Sequence, residues 1–245
     1  MSRCAIVTGA SSGIGRAVAE RMLSEGWTVG LIARRAGRLG EIAARFPGAV
    51  ALAADVTDPQ ALQAAFSRFV QVAGRLDLLF NNAGMFGPTA TIDEVSPEEW
   101  NRVLGLNLSG MFHAARLAFA QMRRQSPQGG RIINNGSVSA HAPRPGSVCY
   151  TTTKHAVTGL TKSLALDGRA FDIACGQIDI GNARTDMIAD LIARQKHAAP
   201  DAPPVETMAV EDAVASVMHM AELPLSANVL FMTVMATKMP FVGRG

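Results

Sequence analysis

The chain has 245 residues, 48% of them apolar and 18% charged, and its net charge is only +3 despite a pI near 9.0. That length and apolar content fit one large α/β domain with a sizeable core. The absence of a basic tail or any block of like charge argues against a nucleic-acid binder.

Cys4, Cys149 and Cys175 are odd in number and lack CxxC spacing. They suggest reduced thiols, not a disulfide framework or a zinc site. Cys149, beside Tyr150, reads as a small buried apolar residue, with a redox-sensitive thiol as the alternative. Met1-Ser2-Arg3 runs straight into an apolar stretch, leaving no room for a signal peptide, and no window approaches the roughly 20 apolar residues of a membrane span. A cytoplasmic protein without a membrane segment is expected.

Cys4 to Val7 predicts a buried strand, followed by Thr8-Gly9-Ala10-Ser11-Ser12-Gly13-Ile14-Gly15 and then by Ala17, Val18, Met22 and Leu23 at helical spacing. A strand, a glycine-rich turn and a helix in this order suit a pyrophosphate. The glycines allow its close approach, and the free amides and dipole at the helix start attract the anion. Trp27 to Ala33 is a second strand, followed by Arg34 and Arg35. NAD-specific folds place an acid about 20 residues past the glycine motif, to bind the ribose 2′-hydroxyl. Here no acid occurs until Glu41. An arginine suits a 2′-phosphate, so NADP(H) is favoured over NAD(H). The alternative is a solvated helix start.

Gly48 to Ala54 predicts a third strand, ending in Asp55-Val56-Thr57-Asp58-Pro59, with Asp58 as the cap of a helix that Pro59 opens. Asp55 either accepts a hydrogen bond from an adenine amino group or stabilises its own turn. Leu62, Ala65, Phe66, Phe69 and Val70 share one face of that helix. Asp77 to Phe80 is a fourth strand, closed by Asn81-Asn82-Ala83-Gly84, small polar residues that fit a ligand crevice or an ordinary turn. Pro97 to Gln125 is predicted mostly helical, its apolar stripe running from Leu104 through Leu108, Met111, Ala115 and Phe119 to Met122, with Asn107 beside it. Gly130 to Asn134 is a fifth strand leading to Ser137, and a loop then returns to the next helix.

That helix carries Tyr150, the only tyrosine, and Lys154 four residues on. Residues at this spacing share a helix face. A free phenol titrates near ~10, and a neighbouring ammonium favours phenolate, so the pair suits a general acid/base tuned towards neutral pH.

Taken together, TGASSGIG at 8–15, DVT at 55–57, NNAG at 81–84, Asn107, Ser137 and YTTTK at 150–154 resemble the short-chain dehydrogenase/reductases of about this length. The resemblance covers nearly the whole chain. It implies an α/β fold: a single doubly wound Rossmann domain with a seven-stranded parallel sheet and helices on both faces. It further implies that Tyr150 exchanges a proton with the substrate oxygen. Lys154 would lower the tyrosine's pKa and hold the nicotinamide ribose, Ser137 would hydrogen-bond the carbonyl or alcohol oxygen, and Asn107 would position a water in a relay to Lys154. Cofactor contacts are implied at Gly9, Ser11, Ser12, Gly13, Ile14, Gly15, Arg34, Arg35, Asp55, Val56, Asn82, Ala83, Gly84, Tyr150, Lys154, Gly181, Ala183 and Thr185. No metal is implied.

The second half departs from the family pattern. Asp172 to Ile180 is a predicted strand in which Ile180 replaces the usual proline before Gly181, and Gly176 replaces a common asparagine. The proline's absence implies a looser turn or one more amide donor. Residues 186–208 are expected to form a substrate lid, with Met187, Ile188, Leu191 and Ile192 as its apolar face, broken at Pro200 to Pro204. Arg144 either meets an anionic substrate group or is solvated. After Ala209 come a helix with Val214, Val217 and Met218 apolar and a last strand from Asn228 to Val234. Phe241 and Val242 in the tail, with the family's habit of assembling, imply a homotetramer or homodimer.

The expected activity is hydride transfer between NADP(H) and a small-molecule carbonyl or secondary alcohol. An NAD-preferring dehydrogenase, a non-catalytic NADP(H) sensor or scaffold, and a dehydratase or epimerase are the alternatives.

Overall fold

The structure is a computed structural model that describes residues 3–186, 188–189, 192–193 and 204–242. Seven parallel strands form one sheet in the order β3-β2-β1-β4-β5-β6-β7. They are β1 (Cys4–Thr8), β2 (Thr28–Ala33), β3 (Ala49–Ala53), β4 (Leu78–Asn81), β5 (Gly130–Asn135), β6 (Ile173–Ile180) and β7 (Phe231–Val234). Helices α1 (Gly13–Ser24), α2 (Ala36–Arg45), α3 (Pro59–Ala73), α4 (Pro97–Leu104), α5 (Gly110–Arg124), α6 (Val148–Gly168) and α7 (Val210–Glu222) make the connections.

The period-two alternation of a strand divides the core between the two faces. In β1, Ala5 and Val7 join a cluster with Val18 and Met22 of α1, Leu39 of α2 and Val217 of α7. Cys4 and Ile6 point the other way, to Leu62 and Phe69 of α3 and Ala118 of α5. Each fully buried large side chain, such as Phe69 or Leu39, contributes roughly 1.5–3 kcal/mol from water exclusion.

Local chemistry sets the helix boundaries. The Asp58 carboxylate accepts from the amides of Gln60 and Ala61, and Pro59 takes the first helical position, as predicted for α3. The long helix expected over Pro97 to Gln125 is interrupted by a π-helical turn at Gly105–Ser109, and Asn107 lies in that turn. Such turns widen the helix locally and are frequent at functional sites.

Two departures from the family pattern have physical reasons here. Gly176 lies where β6 meets the Val229 carbonyl, and an added Cβ would overlap that oxygen. The asparagine common at this position has no room. Ile180 does not open a turn. It is the last residue of β6, buried and paired with Val234, and the Gly181 amide donates to the Val234 carbonyl at 2.8 Å. The tail divides: the Phe241 ring packs on this chain's own core and stands edge-on to His141, with ring centres 6.2 Å apart, whereas Val242 is exposed as expected.

No helix among the described residues is long and apolar enough to cross a membrane. Cys4, Cys149 and Cys175 are buried, and none of them is in a disulfide. Burial pushes all three thiols up, Cys175 to about 12, and Cys149 is buried as a small residue would be.

Candidate active site

β1 is flanked by β2 on one side and β4 on the other, so the connections diverge there and open a crevice at the carboxyl ends of the strands. The motifs meet at this point. The Thr8 hydroxyl accepts from the amides of Asn82 and Ala83 at 2.9 and 3.0 Å, and Asn82 Nδ2 donates to the Thr8 carbonyl. The first turn is thereby tied to NNAG. Gly9 has φ +70°, and a Cβ on it would crowd Asn82 Nδ2.

A cleft of about 280 Å³ runs along this edge. Of the predicted cofactor residues it is lined by Gly9, Ser11, Ser12, Gly13, Ile14, Arg34, Arg35, Asp55, Val56, Asn82, Ala83, Gly84, Tyr150, Lys154 and Thr185. Gly15 is buried behind the turn, and Gly181 and Ala183 line a neighbouring cleft instead. At the far end the two arginines differ. Arg35 donates to the Ser11 hydroxyl from Nε and Nη2, at 3.1 and 2.8 Å, and to Ser12 at 2.7 Å. Arg34, which occupies the place of the usual acid, is 75% exposed and lies 3.9 Å from Asp55. The other Asp55 oxygen accepts from the Thr57 amide and hydroxyl, so this residue does hold its own turn.

The neighbouring cleft, about 930 Å³, is bounded by Phe86, Ser137, Pro143, Arg144, Asn182 and Ile188 among others, and Tyr150 lines both. Lys154 is buried and donates to the Asn135 carbonyl at 2.7 Å. Burial pulls its ammonium down to about 8, opposed by the Asp179 carboxylate. The Tyr150 phenol is pushed up, not down. Its burial outweighs the hydrogen bond from Ser137 and the positive charge of Arg144, and Asp179 adds to the rise. The expected lowering by Lys154 therefore does not dominate in this site, because removing water from the phenol costs the anion more than nearby cations return.

The Asn107 side chain is buried, its Oδ1 accepting from the Met85 amide and its Nδ2 donating to the Met85 carbonyl and the Thr153 hydroxyl. It joins the NNAG loop to α6 and makes no direct bond to Lys154. Arg144 donates to Asn182 Oδ1 at 3.1 Å on the wall of the larger cleft, so it is not simply a solvated loop residue. Of the expected lid face, Met187 and Leu191 lie outside the described residues, as do Pro200 and Pro203. Ile188 is buried and Ile192 half-buried.

Sequence reasoning missed Asp179, His141, Gln177 and Asn135. The available signal was a carboxylate inside the apolar end of a predicted strand, since a buried charge requires partners.

A doubly wound parallel sheet with a glycine-turn cleft, a second cleft beside it and a tyrosine on both defines a nucleotide-binding oxidoreductase architecture. The chain belongs to the short chain dehydrogenase family, which it matches over residues 3–196. It is 36% identical over 177 residues to a 3beta-hydroxysteroid dehydrogenase of Mediterraneibacter gnavus, covering 71% of this chain and 63% of that protein. A 2-(R)-hydroxypropyl-CoM dehydrogenase of Xanthobacter autotrophicus is 38% identical over 194 residues, covering 76% and 77% of the two chains. A solved serine dehydrogenase complexed with NADP+ superposes with a TM-score of 0.89 at 22% identity, over 99% of this chain and 98% of that one. A 3-ketoacyl-(acyl-carrier-protein) reductase from Brucella melitensis complexed with NADH gives 0.85 at 24% identity, over 95% and 96%. These two superpositions establish the fold.

Proposed function

We propose that this protein is an NADP(H)-dependent reductase or dehydrogenase of a small carbonyl or secondary alcohol compound. The observation that carries the reading is that Tyr150 lines both clefts, with Ser137 beside it on the wall of the larger one and Lys154 buried one helical turn on. A proton donor at the junction of a nucleotide cleft and a substrate cleft is what carbonyl reduction requires.

The residues suit a dinucleotide. The Gly9–Gly15 turn offers amides and a helix start to a pyrophosphate. Arg35, fixed on Ser11 and Ser12, and Arg34 beside it present guanidinium groups where a 2′-phosphate would lie. Asn135 Oδ1 is a buried acceptor without a partner among the described residues, in a residue that lines both clefts, and suits a donor of a bound ligand. When bound, the nicotinamide supplies or takes the hydride.

The chain's own groups do the rest. The Ser137 hydroxyl and the Tyr150 phenol converge on the substrate oxygen, and Tyr150 gives it a proton as negative charge develops there. Lys154 holds the ribose and restrains the phenol from behind. Asn107 fixes α6 against the NNAG loop and, through the π-helical turn, orders a water path towards Lys154. The domain acts as one nucleotide-binding unit with a lid over about 186–208.

The same reading assigns the protein to the cytoplasm, supported by three cysteines of which none is in a disulfide, and makes it a homodimer or homotetramer. The support for assembly is an apolar groove between α5 and α6, lined by Phe112, Phe119, Leu160 and Leu164, where Phe112 is 48% exposed. Sedimentation as a monomer at micromolar concentration would refute assembly.

The function is tested by titrating NADPH and NADH against nicotinamide fluorescence, then screening ketones and aldehydes with the tighter binder. Tight NADPH binding with oxidation is expected. Binding without turnover on a broad panel would favour a sensor, equal kinetics with both cofactors would remove the NADP preference, and binding of neither would end the reading.

A further inference from the structure

Asp179 is a fully buried carboxylate in a strand whose neighbours, Ile178 and Ile180, are core residues. Isolated, such a group is costly. Here Oδ1 accepts from the Ser137 backbone amide at 2.8 Å and from Gln177 Nε2 at 2.7 Å, and Oδ2 lies 2.7 Å from His141 Nε2, whose N–H donates to it. The segment that carries Ser137 is therefore held from below by a strand residue and closed from the loop side by an imidazole. Gly136 is part of the arrangement, because a Cβ there would overlap the Asp179 Oδ1 atom. The Phe241 ring stands edge-on to the imidazole, which stays partly exposed.

We propose that Asp179 and His141 form a positioning pair for the reactive residues: the carboxylate fixes the backbone of Ser137 and places negative charge behind Tyr150 and Lys154, and the imidazole holds the carboxylate in place. The proposal rests on the reading of Ser137 and Tyr150 as the reactive groups. The ionisable groups concerned are His141 and Arg144 from the loop after β5 and Tyr150 and Lys154 from α6. On the β7 side, the register partner of Asp179 is the uncharged Thr233.

The sign of the electrostatic effect is fixed. Negative charge at Asp179 disfavours phenolate at Tyr150 and favours ammonium at Lys154. Asp179→Asn keeps an acceptor for the Ser137 amide and removes the charge.

Tyr150 is the only tyrosine, so its ionisation is read directly from phenolate absorbance, without substrate or cofactor. In Asp179→Asn the midpoint of the alkaline titration is expected to fall below that of wild type, Asp179 being the smallest of the influences on the phenol, with far-ultraviolet circular dichroism followed over the same range. An unchanged midpoint in a folded variant overturns the electrostatic role. If the variant melts before the phenol titrates, the His141 substitutions decide. His141→Gln, which still donates to the carboxylate, is expected to keep NADPH turnover on the best carbonyl of the panel within roughly threefold. His141→Leu is expected to lose about tenfold in kcat with the KM for NADPH unchanged, the order of one lost hydrogen bond. Wild-type kcat in His141→Leu overturns the pair. A wild type without reductase activity would end the functional reading and leave the tyrosine titration valid.

Discussion

The Lys154 ammonium lies 5.5 Å from the centre of the Tyr150 ring and donates to the Asn135 carbonyl at 2.7 Å. The lysine is thus anchored to the end of β5 beside the nucleotide cleft, and it meets the tyrosine through the ring face. This geometry suits a group that binds ribose and acts on the phenol from a distance. Burial moves the phenol most, with smaller influences from Ser137, Arg144 and Asp179.

Removing the phenolic hydroxyl tests the proton-transfer role. Tyr150→Phe is expected to lower turnover by about 10²–10⁴-fold, the usual range for a positioned general acid. NADPH binding, followed by nicotinamide fluorescence, should change little, because the nucleotide cleft keeps its other walls.

The two arginines are expected to separate. Arg35 is fixed on Ser11 and Ser12, whereas Arg34 is exposed and only loosely paired. Arg35→Ala should weaken NADPH about 10- to 100-fold, the range of a charge-assisted hydrogen bond to phosphate, and leave NADH nearly unaffected. Arg34→Ala should cost NADPH no more than about fivefold, as for an exposed ion pair. Parallel titrations with both cofactors check this, and an equal loss for NADH would remove Arg35 from the 2′-phosphate.

Lys154 makes cofactor affinity depend on pH. Its folded pKa is lowered to about 8 by burial, so the ammonium is present below that pH and is lost as pH rises through it. NADPH affinity is expected to fall between about pH 7 and 9, and in Lys154→Met it should be weak and flat over the same range. Isothermal titration at several pH values reads both.

Two substitutions far from the chemistry test the fold. Asp58→Ala removes the two amide bonds that start α3 and should cost about 1 kcal/mol of stability with activity per folded molecule unchanged. Gly176→Ala forces a methyl against the Val229 carbonyl and should cost about 1–3 kcal/mol. Thermal and denaturant unfolding measure each.

Much of the molecule was legible before its structure. Strands and helices announce themselves by period, and each nucleotide motif falls at a strand end because such turns need small residues. Every predicted strand is present, with ends moved by up to three residues: the last begins at Phe231, not Asn228. The interruption around Asn107 left no trace in the apolar stripe, since a π turn shifts register by one residue within a face that remains apolar. Among the site residues, the sequence named Arg34 and Arg35 together, because position in the chain does not say which of two adjacent guanidinium groups turns back onto Ser11 and Ser12.

The sequence by itself determined the alternation of strands and helices, the glycine turn, the Tyr150–Lys154 helix face and the family, all of which depend on residues close together in the chain. Only the tertiary structure decided that Asp179 reaches Ser137 across 42 positions of sequence and that Phe241 folds back on His141. It also decided that burial raises the Tyr150 phenol. Desolvation and long-range hydrogen bonds depend on which surfaces are brought together in space, and spacing along the chain carries no record of that.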